Sequence, residues 1–257
     1  MERIMTPSGA TVSFDAYGSG PPLVLVHGGF SDQVTNWQEV KPLLQDRYSI
    51  YALARRGRGE TSSTTGHVVE DEAADVVAVL RHIGVPAFLL GHSYGAVCAL
   101  GAAALHPEGV RKLVLYEHPW PHLISAERIA QLEAIAKRED WDGVVRTFML
   151  DVLQVPPAEV EEISVSPFWD VWVADARATL NDLRALVRYS FDAAKYQSLS
   201  MPVSLLIGTE SPRDLYVTDA LAAVLPDVRI ALLEGQAHEG MTTAPAQFVD
   251  TVSEFLI

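Results

Sequence analysis

The stretch that most restricts how this chain can fold covers residues 87–105, AFLLGHSYGAVCALGAAAL. Phe88-Leu89-Leu90 is apolar on both faces of an extended segment, which suits a strand covered on both sides. Residues 96–105 are small and apolar without proline, and suit a packed helix. Between them stands Gly91-His92-Ser93-Tyr94-Gly95. A serine raised on a sharp strand-to-helix turn needs an unusual backbone, and the residues two positions to either side lie so close to strand and helix that a Cβ would crowd them. Glycines at 91 and 95 meet that demand, so Ser93 is a candidate nucleophile. The five residues alone also fit a plain glycine-rich turn; the strand before them and the helix after them favour the catalytic reading.

The rest of the chain alternates in the same way. Residues 11–17, TVSFDAY, have the alternation of an antiparallel strand, and Gly18-Ser19-Gly20-Pro21 turns the chain into Pro22-Leu23-Val24-Leu25-Val26, apolar on both faces. His27-Gly28-Gly29-Phe30 follows, where glycines let backbone approach a ligand and the Gly29 N–H can point into a site; the same residues also fit a tight turn. The spacing predicts a short helix over 36–44, a strand over 48–53 and an amphipathic helix over 69–83 that ends at Gly84. Strand signals recur at 112–116, 203–207 and 228–233, and a helix closes the chain over 245–255. This alternation predicts an α/β fold, a mostly parallel central sheet with helices on both faces. Ligands of such sheets bind at the carboxyl ends of the strands, and His27, Ser93, Glu117, Glu210 and His238 all fall just after predicted strands.

Between Glu117 and Met201 there is no core-strand signal. Ser125 can cap a helix to about Arg138, and further helices are expected over 141–152 and 175–194. The expected organisation is a core of residues 1–117 and 201–257 and a helical cap, or lid, of residues 118–200. Four of the five tryptophans lie in the cap. Trp120, Phe148, Trp169 and Trp172, with Phe30 from the core, are candidates for an apolar substrate pocket. Each also suits the plainer task of holding the cap together.

The 33 acidic and 19 basic residues give a formal charge of −14, which repels nucleic-acid phosphate and anionic membrane surfaces. A small-molecule substrate is expected instead, with neither nucleic acid nor membrane as partner; nothing specifies an oligomeric state. Cys98 is the only cysteine and reads as a packed small residue. Residues 1–9 lack the features of a signal peptide and no run is long and apolar enough to span a bilayer, so a cytoplasmic location is expected. Arg55-Arg56-Gly57-Arg58-Gly59 reads as a solvated or ion-paired surface loop, and otherwise as an attractor of an anionic substrate.

The His27-Gly28-Gly29-Phe30 loop, the Arg56-Gly57-Arg58-Gly59 loop, the Ser93 elbow, the late Gly235-Gln236-Ala237-His238 segment and the strand order around them resemble the α/β-hydrolase superfamily, in its compact members with a helical lid. The likeness spans nearly the whole chain. It implies Ser93 as nucleophile, His238 as general base, and the N–H groups of Gly29 and Tyr94 as the oxyanion hole. A serine hydroxyl is a poor nucleophile until a base within reach takes its proton. The histidine comes last in such folds, and no histidine but His238 follows His122. His92 would face away from the turn in a structural role.

The acid departs from the pattern. The family's usual position, after the strand at 203–207, holds Ser211, which cannot supply the charge that stabilises an imidazolium. Glu117, at the end of the preceding core strand, and Glu210 are the replacements; relatives such as haloalkane dehalogenases place the acid after that earlier strand. Glu117 is favoured, with Glu210 as the alternative and Asp214 behind both. Ala54, where relatives often carry aspartate, is a second departure. The resemblance implies an esterase-like hydrolase that cleaves a small to medium, largely apolar carboxylic ester or similar acyl compound through a Ser93 acyl-enzyme, with no metal or organic cofactor. Carbon–carbon hydrolase, lyase or perhydrolase activity on the same scaffold, or small-ligand binding without turnover, are the alternatives.

Overall fold

In the computed structural model, which describes residues 1–6, 9–63 and 66–257, the strands form one sheet in the order β1-β2-β4-β3-β5-β6-β7-β8. They are β1 (Glu2–Met5), β2 (Thr11–Gly18), β3 (Pro22–Val26), β4 (Ser49–Ala54), β5 (Ala87–His92), β6 (Val110–Tyr116), β7 (Val203–Gly208) and β8 (Val228–Leu233). β2 runs antiparallel to β1 and β4, and the remaining pairs are parallel. The alternation expected of an α/β fold is therefore present, with β1 as an unanticipated edge strand.

The helices of the core are α1 (Lys41–Leu44), α2 (Val69–Ile83) and α3 (Tyr94–Leu105), and those between β6 and β7 are α4 (Ala126–Ala136), α5 (Trp141–Thr147), α6 (Pro157–Ser164) and α7 (Pro167–Arg188). After β7 come α8 (Thr218–Ala222), α9 (Gly240–Thr243) and α10 (Pro245–Leu256). Because side chains alternate along a strand, β3 sends Val24 and Val26 to the layer with α2 and α3, and Leu23 and Leu25 to the layer with α1 and α10. Both faces of the central strands are thus covered, the reason those runs are apolar throughout. Cys98 lies inside the first layer, fully buried.

Three predicted helices differ from the structure, the one over 141–152 in that α-helix gives way to a π-helical turn after Thr147. Residues 33–40 form turns, and only Lys41–Leu44 is helical. Pro42 explains it: proline fits the first turn of a helix, whereas deeper inside it removes a hydrogen bond and clashes with the preceding turn. The helix expected over 175–194 instead starts at Pro167, by the same preference, and ends at Arg188. Ser125 does cap α4, its hydroxyl accepting from the Arg128 N–H at 3.2 Å. The segment between β6 and β7 builds an apolar centre of its own from Ile124, Leu132, Val145, Phe148, Leu180 and neighbours, and Phe30 reaches into it from the core.

Candidate active site

The end of β5 forms the elbow. Ser93 has φ 54° and ψ −124°, and its N–H donates to Tyr116 O at 2.8 Å. A Cβ on Gly91 would collide with Gly95 O and Ala96 Cα, and one on Gly95 with Val26 O and His27 O. The spacing of glycines around Ser93 therefore has the steric cause the sequence suggested. Among the described non-glycine residues with positive φ are Phe30 at 52° and Glu117 at 52°, just beyond β3 and β6. Backbone strain of this kind, about 1–3 kcal/mol per residue, persists where the surroundings enforce it and gathers at functional sites.

Glu117 is completely buried. One carboxylate oxygen accepts from the Gly208 N–H at 2.8 Å, and the other lies 2.5 Å from His238 Nδ1. Burial opposes ionisation of Glu117, yet the His238 hydrogen bond and charge outweigh it and hold the carboxyl below its ordinary value. For His238, burial disfavours the cation, while Glu117 more than compensates and raises the pKa above 6.5. Tyr216 stacks on the His238 ring at 5.8 Å, its hydroxyl 3.3 Å from Nδ1. Beside it, burial above all lifts Glu239 to about 7, aided by Glu117 and opposed by His238. Glu210 is exposed, with Thr209 Oγ1 3.4 Å from its carboxylate, and Asp214 is exposed as well.

The loop carrying His238 is held from below. The Tyr116 hydroxyl donates to Ala237 O and accepts from the Gly240 N–H at 3.0 Å. His92, buried at the end of β5, reaches His238 O with Nε2 at 3.0 Å and Asn36 Oδ1 with Nδ1 at 3.2 Å. Burial drives its pKa well down, and the neutral ring, with its single N–H, donates to one of these two oxygens.

The loop after β3 is fixed nearly atom by atom. Gly28 N–H donates to Asn36 Oδ1 at 3.2 Å, Arg55 Nη2 donates to Gly28 O at 2.8 Å, and Phe30 N–H donates to Thr179 Oγ1 at 2.6 Å. Among the described residues, no protein acceptor takes the N–H of Gly29 or of Tyr94.

The arginine loop is not the surface run the sequence suggested. The side chains of Arg55, Arg56 and Arg58 are 0, 8 and 2 % exposed. Arg55 pairs with Glu72 at 3.0 Å and Asp182 at 2.7 Å, Arg56 with Asp75 at 2.7 Å, and Arg58 with Asp175 at 2.7 Å and Asp182 at 2.9 Å. Charges this deep need partners, and α7 provides two of them. The anionic-substrate alternative loses its basis, since the guanidinium groups are already neutralised inside the protein.

The pocket candidates fall into two groups. Phe30 and Phe148 are in contact, with ring centroids 4.9 Å apart, and share an apolar cluster with Trp169 and Trp172. Phe148 opens a π-helical turn, Phe148–Val152, where the sequence predicted α-helix. Trp169 donates to Asp142 at 2.6 Å and is covered by Arg146, so it braces the inserted helices. Trp120 lies apart, against Phe191 at 5.3 Å and His122 at 5.3 Å.

Among the described residues, His92, His238 and Glu239 form one group with possible metal-ligand atoms within 4.8 Å, and His67, Glu72 and Asp182 form another. In the first, both nitrogens of His92 face protein oxygens, Asn36 Oδ1 and His238 O; in the second, the carboxylates are bound to Arg55 and Arg58. No described helix is long and apolar enough to cross a membrane.

The family model for the alpha/beta hydrolase family matches residues 23–251. The chain belongs to that family. This hydrolase superposes on an alpha/beta hydrolase from Sphaerobacter thermophilus with TM-score 0.87 and 28% identity, over 100% of both chains. It is similar to the 2-(acetamidomethylene)succinate hydrolase of Mesorhizobium japonicum, 32% identical over 96% of this chain and 91% of that one. It is also similar to the pimeloyl-[acyl-carrier protein] methyl ester esterase of Aeromonas hydrophila, 24% identical over 96% and 99%. Relatives of the hydrolase thus include esterases and hydrolases of other small molecules.

Proposed function

We propose that the protein is a serine hydrolase cleaving a small to medium, largely apolar carboxylic ester or similar acyl compound. The observation that carries this reading is the buried Glu117 carboxylate against His238 Nδ1 at 2.5 Å, at the same sheet edge as the strained Ser93. In this mechanism Glu117 holds the imidazole so that Nε2 is free to take the Ser93 proton. Ser93 Oγ attacks the acyl carbon, and the carbonyl oxygen gains charge opposite the unpartnered N–H groups of Gly29 and Tyr94. His238 then protonates the departing alcohol, and water, activated by the same base, releases the acid from Ser93. The helices between β6 and β7 act as a cap, with Phe30 and Phe148 giving the acyl side an apolar wall. The A. hydrophila esterase, similar along the whole chain, supports ester chemistry.

A fluorophosphonate probe together with a panel of p-nitrophenyl esters tests the proposal. Labelling of Ser93 with turnover of short and medium acyl chains is expected. Labelling without turnover would favour a small-ligand-binding protein, and no labelling would remove the serine mechanism.

A further inference from the structure

We propose that the inserted helix α7 is a working part of the oxyanion hole: Thr179 is a positioning residue that aims the Gly29 N–H at the reacting carbonyl, seconded by Asp182. This deepens the proposed function and rests on it. Thr179 is buried, 2 % exposed, and its hydroxyl is fully used. Oγ1 accepts from the Phe30 N–H at 2.6 Å and from Arg58 Nη2 at 3.0 Å, and donates to Asp175 Oδ2 at 2.7 Å. A hydroxyl with its one proton and both lone pairs committed has no rotational freedom left.

The geometry of the peptide carries the argument further. A trans peptide is planar, so its C=O and N–H point in opposite directions, and holding one aims the other. The Gly29 N–H belongs to the peptide whose carbonyl is Gly28 O. That carbonyl accepts from Arg55 Nη2 at 2.8 Å and approaches His27 Nδ1 at 2.8 Å. Arg55 Nη2 is in turn held by Asp182 of α7 at 2.7 Å. The next peptide, which carries the Phe30 N–H, is held by Thr179. Two side chains of one inserted helix, three residues apart on α7, therefore act on the two peptides flanking Gly29. Thr179 also takes the Phe30 N–H out of competition, leaving the Gly29 N–H as the donor without an acceptor. The fit is close: a Cβ on Gly29 would meet Thr179 Cγ2 at 3.2 Å. Phe30 is kept at φ 52°, a conformation that needs such enforcement.

The test compares Thr179→Ala with Thr179→Ser, which differ only in the hydroxyl, with Thr179→Val as an isosteric second variant if the alanine variant does not fold. Four readings are taken for each: kcat and KM on a p-nitrophenyl ester, the inhibition constant of a trifluoromethyl ketone whose adduct with Ser93 carries an oxyanion, the rate of fluorophosphonate labelling, and Tm. Removing an oxyanion donor costs about 10²–10³ in kcat, so a misaimed one is expected to cost about 10- to 100-fold. Thr179→Ala and Thr179→Val should lose that much in kcat, with trifluoromethyl ketone affinity and labelling rate falling in parallel and KM within ~3-fold. Thr179→Ser should restore all three. Parent-like kcat in Thr179→Ala, or an equal loss in Thr179→Ser, overturns the proposal; a parallel loss in kcat without loss of ketone affinity does so too. The labelling rate needs no turnover, so the inference is read even where no ester is cleaved. An active Ser93→Ala protein would sink the serine mechanism, whereas parent-like Thr179→Ala beside an inactive Ser93→Ala removes this inference alone.

Discussion

Glu117 Oε2 lies 2.5 Å from His238 Nδ1, although 121 residues separate the two in the chain. The carboxylate comes from the end of β6, one strand earlier than the family's usual acid position, and its backbone is held at φ 52°. Glu117→Gln keeps the size and removes the charge. Losing the carboxylate behind a catalytic histidine costs around 10⁴ in turnover in a related triad, so a fall in kcat of at least ~100-fold is expected here. Glu210→Gln, at an exposed side chain, should stay within ~10-fold of the parent. Steady-state kinetics of the two proteins decide it, and the reverse ranking would place the acid at Glu210.

Ser93 and His238 are expected to act as one unit. Each single alanine replacement should lower kcat by several orders of magnitude, and the double replacement should be hardly worse than either. Losses that add in the double variant would show that the two side chains do not share a step.

The pH dependence follows from the direction of the His238 shift. A general base must be unprotonated, so kcat/KM rises with pH through the His238 pKa, and because that value lies above 6.5 the acidic limb should be centred above 6.5. Glu117→Gln removes the larger influence that raises it and leaves burial, which lowers it, against Glu239 alone, so the residual activity should show a limb shifted toward acid. Glu239 titrates nearby, at about 7, and Glu239→Gln is the control that keeps the Glu117 dependence. A parent limb below 6.5, or one that ignores Glu117→Gln, contradicts this assignment.

Asp182 is 1 % exposed and pairs with both Arg55 and Arg58. Breaking a buried pair by removing one partner destabilises by about 3–5 kcal/mol, chiefly because the remaining charge is stranded. Arg55 keeps Glu72 and Arg58 keeps Asp175, so Asp182→Asn is expected near the lower end, about 3 kcal/mol. A chain of this size should show that as a fall in Tm of roughly 6–12 °C. A Tm unchanged within error would mean that the network is not under the load its burial implies.

Local features determined much of this protein on their own. Runs apolar at every position require cover on both faces, and glycines at 91 and 95 leave room where backbone must pass, so the sheet and the Ser93 elbow were legible in short stretches. Helix α2 was legible residue for residue, because one amphipathic face and one terminating glycine suffice to place it. What the sequence left open depended on partners far away in the chain. Glu117, Glu210 and Asp214 were all carboxylates after predicted strands, and the tertiary structure decided which of them meets His238. Arg55 and Arg58 read as surface charges because their partners on α7, Asp175 and Asp182, lie more than a hundred residues on; no local pattern announces such a pairing. Thr179 carried no signal at all, for a lone threonine in a helix gains its meaning only from the Phe30 N–H that folding brings to its hydroxyl. Local sterics and hydrophobic period act over a few residues and can be read along the chain, whereas charge pairing and hydrogen bonding between elements depend on where the whole sheet brings them together.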